Sequence, residues 1–104
     1  MSIAKGIALV TGSAQGIGRG IALRLARDGF DVALNDISSK RDELRTLAND
    51  IEKIGRRTHL VLADVAVEGE VKGMIQGVTK ELGGLDVVST LCRTPIEYVP
   101  NFPL

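Results

Sequence analysis

Apolar positions along the chain alternate between two patterns, short unbroken runs and longer stretches at helical spacing, with glycines at the joints. Residues 7–11 form the first short run, followed by Gly12-Ser13-Ala14-Gln15-Gly16-Ile17-Gly18. Ile17, Ile21 and Leu25, with Ala22 and Ala26, then recur at helical spacing, and Gly29 is the expected stop. A second short run covers residues 31–37. Ser39 is the expected N-cap of the next helix, in which Leu44, Leu47, Ala48, Ile51 and Ile54 follow the i, i+3, i+4, i+7 rule up to Gly55. The third run, residues 58–63, ends at Asp64. Val67, Val71, Met74, Ile75, Val78 and Leu82 predict a third helix closed by Gly83 and Gly84. Gly73 and Gly77 lie inside it and cost about 1 kcal/mol each relative to Ala. Residues 85–88 open a fourth strand.

Short apolar strands alternating with amphipathic helices specify βαβ units and a parallel sheet buried on both faces. The fold class is therefore α/β in three layers, with four strands and three helices within residues 1–91. Residues 92–104 break the pattern: all three prolines (Pro95, Pro100, Pro103) fall there without helical periodicity, and an irregular tail is expected.

Composition narrows the partners. Thirteen basic residues balance thirteen acidic ones, so there is no electrostatic case for nucleic acid or an anionic membrane surface. No apolar stretch approaches the ~18 residues of a membrane-spanning helix. The single cysteine, Cys92, excludes an internal disulfide and any cysteine-rich zinc site, and a cytoplasmic location is the simplest expectation. His59 has no cluster of ligands at metal-binding spacing, Cys92 has no basic partner, and Lys40-Arg41-Asp42-Glu43 reads as a solvated helix face.

The candidate chemistry lies in Thr11-Gly12-x-x-x-Gly16-x-Gly18, between a predicted strand and a predicted helix. Glycines let the backbone turn sharply and approach a pyrophosphate, and the helix N-terminus offers free N–H groups and the positive end of its dipole. An ordinary strand-to-helix turn needs one glycine and seldom three. Asp36 stands 18 positions after Gly18, near the ~20-residue offset of an acid that accepts hydrogen bonds from the adenosine ribose and repels a 2′-phosphate. No compensating cation stands beside it in sequence: Ser13, Ala14 and Gln15 fill the loop, Arg19 lies beyond it, and Ile37 follows the acid. NAD is therefore the expected cofactor over NADP. A carboxylate that merely closes a strand end would also place Asp here.

Thr-Gly-x-x-x-Gly-Ile-Gly resembles the cofactor motif of the short-chain dehydrogenase/reductase family. The resemblance runs from about Gly6 to Val88 and takes in Asn35-Asp36, Asp64-Val65 and Gly84-Leu85-Asp86-Val87. It implies an NAD(P)-binding Rossmann-like fold with strand order 3-2-1-4 and a dinucleotide held by Thr11, Gly12, Ser13, Gln15, Gly16, Ile17, Gly18, Asp36, Asp64 and Val65. In that likeness Asp64 meets the adenine amino group, Val65 walls the ring, and Asp86 stabilises the turn into the fourth strand. By residue type alone, Asp64 is equally an N-cap for the third helix. Residues 11–20 and 31–37 look most like acetoin/diacetyl-type reductases, which implies small carbonyl or alcohol substrates.

After Val88 the family continues with Asn-Asn-Ala-Gly or Asn-Ala-Gly, whereas this chain has Ser89-Thr90-Leu91-Cys92-Arg93. The family's catalytic serine and Tyr-x-x-x-Lys have no counterpart. Tyr98 is the only tyrosine and Phe102 stands four residues on. The expectation is a truncated, alternatively spliced or misread product whose fourth strand presents an apolar edge for pairing. Three readings compete: the cofactor-binding half of an alcohol/ketone oxidoreductase, a non-catalytic nucleotide-binding module that partners a full-length relative, and a remnant without function.

Overall fold

β-Branched and aliphatic residues concentrate in short stretches that only a sheet covered on both faces can bury, and helices supply the cover. The structure, a computed structural model, describes residues 4–89. The expected irregular segment from residue 92, including Cys92 and Tyr98, lies outside the described residues. The elements run β1 (Ile7–Val10), α1 (Gly16–Arg27), β2 (Asp31–Asp36), α2 (Arg41–Ile54), β3 (Thr58–Leu62), α3 (Glu68–Leu82) and β4 (Val87–Ser89). The four strands form one parallel sheet in the order β3-β2-β1-β4. This is the expected three-layer α/β fold, with the expected order.

Alternation along the strands divides the core between the two faces. Val10, Val32 and Leu34 join Ala22 and Ala26 of α1 and Leu44, Leu47, Ala48 and Ile51 of α2. Leu9 and Ala33 point the other way and pack with Met74, Ile75, Val78 and Leu82 of α3. The expected burial on both faces holds for the central strands, whereas every residue of β3 is only half-buried, because β3 ends the strand order and lacks a neighbour on one side. The α2 and α3 stops are as expected, with Gly55 and Gly83 in the left-handed region at φ 98° and 92°. Gly73 and Gly77 do not interrupt α3.

Three local expectations are corrected. Ser39 does not cap α2. It lies inside a 3₁₀ turn (Ser38–Lys40) that feeds the helix, and Lys40 takes the N-cap position without a side-chain hydrogen bond. Asp64 does not cap α3 either: its Oδ1 accepts the Ala66 N–H at 2.9 Å, one turn ahead of the helix, whose N-cap is Val67. Ile17, Ile54 and Val67, placed on buried helical stripes by periodicity, are 73%, 38% and 46% exposed. All three stand at helix ends, in the first or last turn or at the cap, where a helix has less sheet to cover than at its middle.

At the opposite end of the sheet from the glycine loop, Asp31 opens β2 with a buried carboxylate. Its Oδ1 accepts the Arg57 N–H at 3.0 Å, its Oδ2 accepts Arg57 Nε at 2.9 Å, and Arg56 Nε lies 3.7 Å away. Arg57 also donates to the Leu82 carbonyl at 3.2 Å, which ties the last residue of α3 to the start of β3. Asp86 Oδ2 accepts the Ile7 N–H at 2.8 Å, so the turn before β4 is bound to β1, the structural role implied for it.

Candidate functional site

The order β3-β2-β1-β4 reverses direction between β1 and β4, and in open α/β sheets ligands bind outside the carboxyl ends of the strands at that point. The loop from Thr11 to Gly16 occupies this position. Gly12 and Gly16 have φ of 60° and 61°, a left-handed conformation that side chains rarely adopt. A Cβ on either would project into open space, with no atom within 4 Å. Gly18 is glycine for the opposite reason: a Cβ there would collide with the Gly12 carbonyl oxygen, so α1 and the loop touch backbone to backbone.

Helix α1 starts against this loop with no acidic residue in its first turn and no side-chain hydrogen bond from its N-cap, Gln15. The first N–H groups of a helix have no intrahelical partner, and the dipole places positive charge at that end. Open space above two glycines and an uncapped helix start suit an anion. These residues fit the pyrophosphate of a dinucleotide.

Thr11 and Ser13 have no exposed surface. The Thr11 N–H and hydroxyl both donate to the Ser89 carbonyl, at 3.0 and 3.4 Å, and the Ser13 N–H and hydroxyl both donate to the Asn35 carbonyl, at 2.9 and 3.1 Å. Their part in the site is to hold the loop's shape. Gln15, Gly16 and Ile17 form its exposed rim.

Asp36 is half-buried between the loop and the end of β3. Its Oδ2 accepts the Ala14 N–H at 3.1 Å, its Oδ1 accepts the Ile37 N–H at 2.8 Å, and its carbonyl accepts the Ala63 N–H at 3.1 Å. Each carboxylate oxygen has a second lone pair for a hydroxyl donor. Beyond it lies a cleft of about 220 Å³ lined by Ile37, Ser38, Leu62, Ala63, Asp64 and Glu70. Asp64 is among the residues that line it. Val65 is not among the lining residues; it packs against the core beneath α3.

A family model described as short chain dehydrogenase matches residues 6–90. The chain belongs to the short-chain dehydrogenase family.

A short-chain dehydrogenase/reductase from Armillaria gallica is 50% identical over 102 residues, which takes in 97% of this chain and 38% of that protein. In three dimensions the chain is similar to carveol dehydrogenase from Mycobacterium avium, whose crystal structure holds NAD (TM-score 0.76, 28% identity, 83% of this chain and 35% of that one). It is also similar to a blue fluorescent protein from a metagenomic library, whose crystal structure holds NADPH (TM-score 0.78, 34% identity, 82% and 35%). The chain therefore spans between 35% and 38% of the length of these relatives. The family model stops at Thr90, close to where the sequence leaves the family motif, while the match to the Armillaria protein continues beyond it.

Within this short-chain dehydrogenase fold, three residues near the site escaped the sequence reading. Asn35, 1% exposed, donates its Nδ2 to the Val61 and Ala63 carbonyls at 3.0 and 3.2 Å while its backbone carbonyl accepts from Ser13, so one residue, through side chain and backbone together, joins β2, β3 and the loop. A polar residue inside an apolar run was the available signal. Lys40 Nζ donates to Gln15 Oε1 at 3.2 Å and brings an ammonium group to the loop's rim, although it stands 25 residues away in sequence. Glu70 Oε1 accepts the Asp64 N–H at 3.2 Å. No local pattern distinguishes either from a solvated surface charge.

Proposed function

We propose that the chain is the dinucleotide-binding part of an NAD(P)-dependent oxidoreductase of alcohols and ketones, with NAD preferred over NADP. The observation that carries this reading is the loop: two glycines at positive φ, open above, at the uncapped start of α1. In it the backbone at Gly12 and Gly16 and the first turn of α1 at Ile17 hold the pyrophosphate. Thr11, Ser13 and Gly18 keep the loop in shape, and Gln15 borders it. Asp36 accepts the adenosine ribose hydroxyls. Asp64 faces the adenine, and Val65 supports the turn beneath. The nicotinamide, when bound, supplies the hydride acceptor or donor.

The cofactor preference follows from charge. A carboxylate at Asp36 repels a 2′-phosphate, and the Lys40 ammonium at the loop offsets part of that repulsion. Calorimetric titration of the 104-residue chain should show tighter binding of NAD than of NADP. Asp36→Ala should weaken NAD, Asp36→Ser with Ile37→Arg should shift preference toward NADP, and Lys40→Met should sharpen the preference for NAD. Gly16→Val should abolish both by filling the open space above the loop and straining its φ. Equal affinities in the unaltered chain would remove the role given to Asp36, and no binding at all would overturn the proposal.

A second reading, a nucleotide-binding module without catalysis, applies to the 104 residues by themselves: their one tyrosine, Tyr98, is followed four residues on by Phe102 and so does not form the family's Tyr-x-x-x-Lys. Diacetyl, acetoin and related small carbonyls are the substrates to try. The 104-residue chain should not consume NADH with any of them. Turnover that disappears in Tyr98→Phe would make the tail catalytic.

A further inference from the structure

Among the described residues, β3 leaves one side of its backbone without a partner strand. It ends the strand order, and its other side pairs with β2 in unbroken register from Thr58 to Leu62. The Arg57 carbonyl accepts the Val32 N–H and the Ala63 N–H donates to the Asp36 carbonyl, both at 3.1 Å, so the odd-numbered residues turn their backbone groups toward β2. The N–H and C=O groups of Thr58, Leu60 and Leu62 therefore point outward. Edges of this kind are normally guarded by lysine, proline or a bulge. β3 reads Thr-His-Leu-Val-Leu and has none of these.

Helix α2 carries the second observation. Arg41, Arg45 and Glu52 are exposed, and spacings of four and seven residues put them on one stripe of the helix. The stripe faces the outer side of β3: Glu52 lines a hollow with Thr58 and His59, whereas Asp50, on the other flank, pairs with Arg19 of α1 at 2.9 Å. None of the three has an ion-pair partner among the described residues. Two cations in the first half of the helix and an acid in its last turn are complementary to the same stripe turned end for end.

We propose that two copies of this chain join edge to edge through β3, antiparallel, about a twofold axis beside Leu60. In that register Leu60 meets its own counterpart and Thr58 meets Leu62, so each outward N–H and C=O finds a partner. At about 1.5 Å per helical residue and about 3.3 Å per strand residue, Asn49 in α2 and Leu60 in β3 both stand about 7 Å from the turn that joins the two elements. The axis therefore passes the middle of both α2 helices and sets Arg45 of each copy opposite Glu52 of the other. α2 packs over β2 and β3, so the two helices lie about two strand spacings apart, on the order of 10 Å, which is helix-packing distance. Such a contact uses the same patch on both copies and closes at two. It stands apart from the dinucleotide reading, which concerns the glycine loop.

Sedimentation equilibrium of the whole 104-residue chain, from about 1 μM to about 1 mM, covers the range of a weak interface. The mass should rise from 11.1 kDa toward twice that value. Arg45→Glu sets acid against acid on both sides of the axis and should weaken association by about tenfold or more, as should Glu52→Arg with its opposed cations. The combined variant restores opposite charges and should recover association, which a misfolded chain would not do. Amide exchange locates the contact: the Leu60 and Leu62 N–H groups should exchange more slowly as concentration rises. A chain that stays at 11.1 kDa throughout, or that grows beyond two copies, overturns the proposal. So does a dimer that ignores Arg45→Glu or leaves the Leu60 and Leu62 amides unprotected, since it uses another surface. A combined variant that is folded by circular dichroism yet fails to associate overturns it as well.

Discussion

Asp31 shows how much a single side chain can carry in a domain of this size. Its carboxylate is 3% exposed and lies 2.9 Å from Arg57 Nε and 3.7 Å from Arg56 Nε, whose side chain is itself 8% exposed. Removing one partner of a buried pair leaves the other charge unpaired, which typically costs about 3–5 kcal/mol. Asp31→Ala should therefore lower the urea midpoint by an amount comparable with much of the stability of a small domain. Arg57→Ala, whose side chain is 62% exposed, should cost less. A loss under about 1 kcal/mol for Asp31→Ala would show that the cluster is mere surface decoration. Gly18 makes a second prediction at this scale. Gly18→Ala drives a methyl into the Gly12 carbonyl and should displace the loop, so binding of NAD should fall more steeply than stability.

Among the elements, α3 contains avoidable cost. Gly73 and Gly77 sit in its interior without positive φ, and a Cβ at either would meet nothing within 4 Å. Gly→Ala at such positions should stabilise the helix by about 1 kcal/mol each, with additive shifts in a thermal or urea melt. No gain from either substitution would show that these positions need glycine for a reason outside the described residues. The helix starts differ in a way that matters to function. α2 carries Asp42 and Glu43 in its first turn and α3 carries Glu68 and Glu70, which complement their own dipoles. α1 carries no acid there. Its start retains the positive end of the dipole for an external anion.

For the molecule as a whole, binding and stability are one measurement. A ligand that binds only the folded chain stabilises it by about 2.7 kcal/mol at a hundredfold excess over Kd. In a domain of about 100 residues that corresponds to a rise in Tm on the order of 10 °C. NAD should produce such a rise in scanning fluorimetry, NADP at the same concentration a smaller one, and Gly16→Val should remove both. An unmoved Tm at millimolar NAD would contradict the proposed site. Among the described residues no helix is long and apolar enough to cross a membrane.

Periodicity alone determined the alternation of strands and helices, the aliphatic core and the glycine loop, because each depends on local spacing: alternate faces along a strand, one stripe along a helix, and a backbone turn only glycine makes cheaply. Asp36 was legible for the same reason, standing at the end of a strand at a set distance from the loop. The helix starts were less legible, since Ser39 and Asp64 have the side chains of caps but the chain enters α2 through a 3₁₀ turn and α3 one turn after Asp64. Only the tertiary structure decided which polar groups meet across long stretches of chain: Ser13 with Asn35, Asp31 with Arg57, Lys40 with Gln15. Glu70 with Asp64 is close in sequence yet equally unreadable, because the turn between them sets the contact. Parallel strands place like ends side by side, carboxyl with carboxyl and amino with amino, while keeping them more than twenty residues apart along the chain. Hydrogen bonds at those ends follow spatial neighbours, and no local pattern records them.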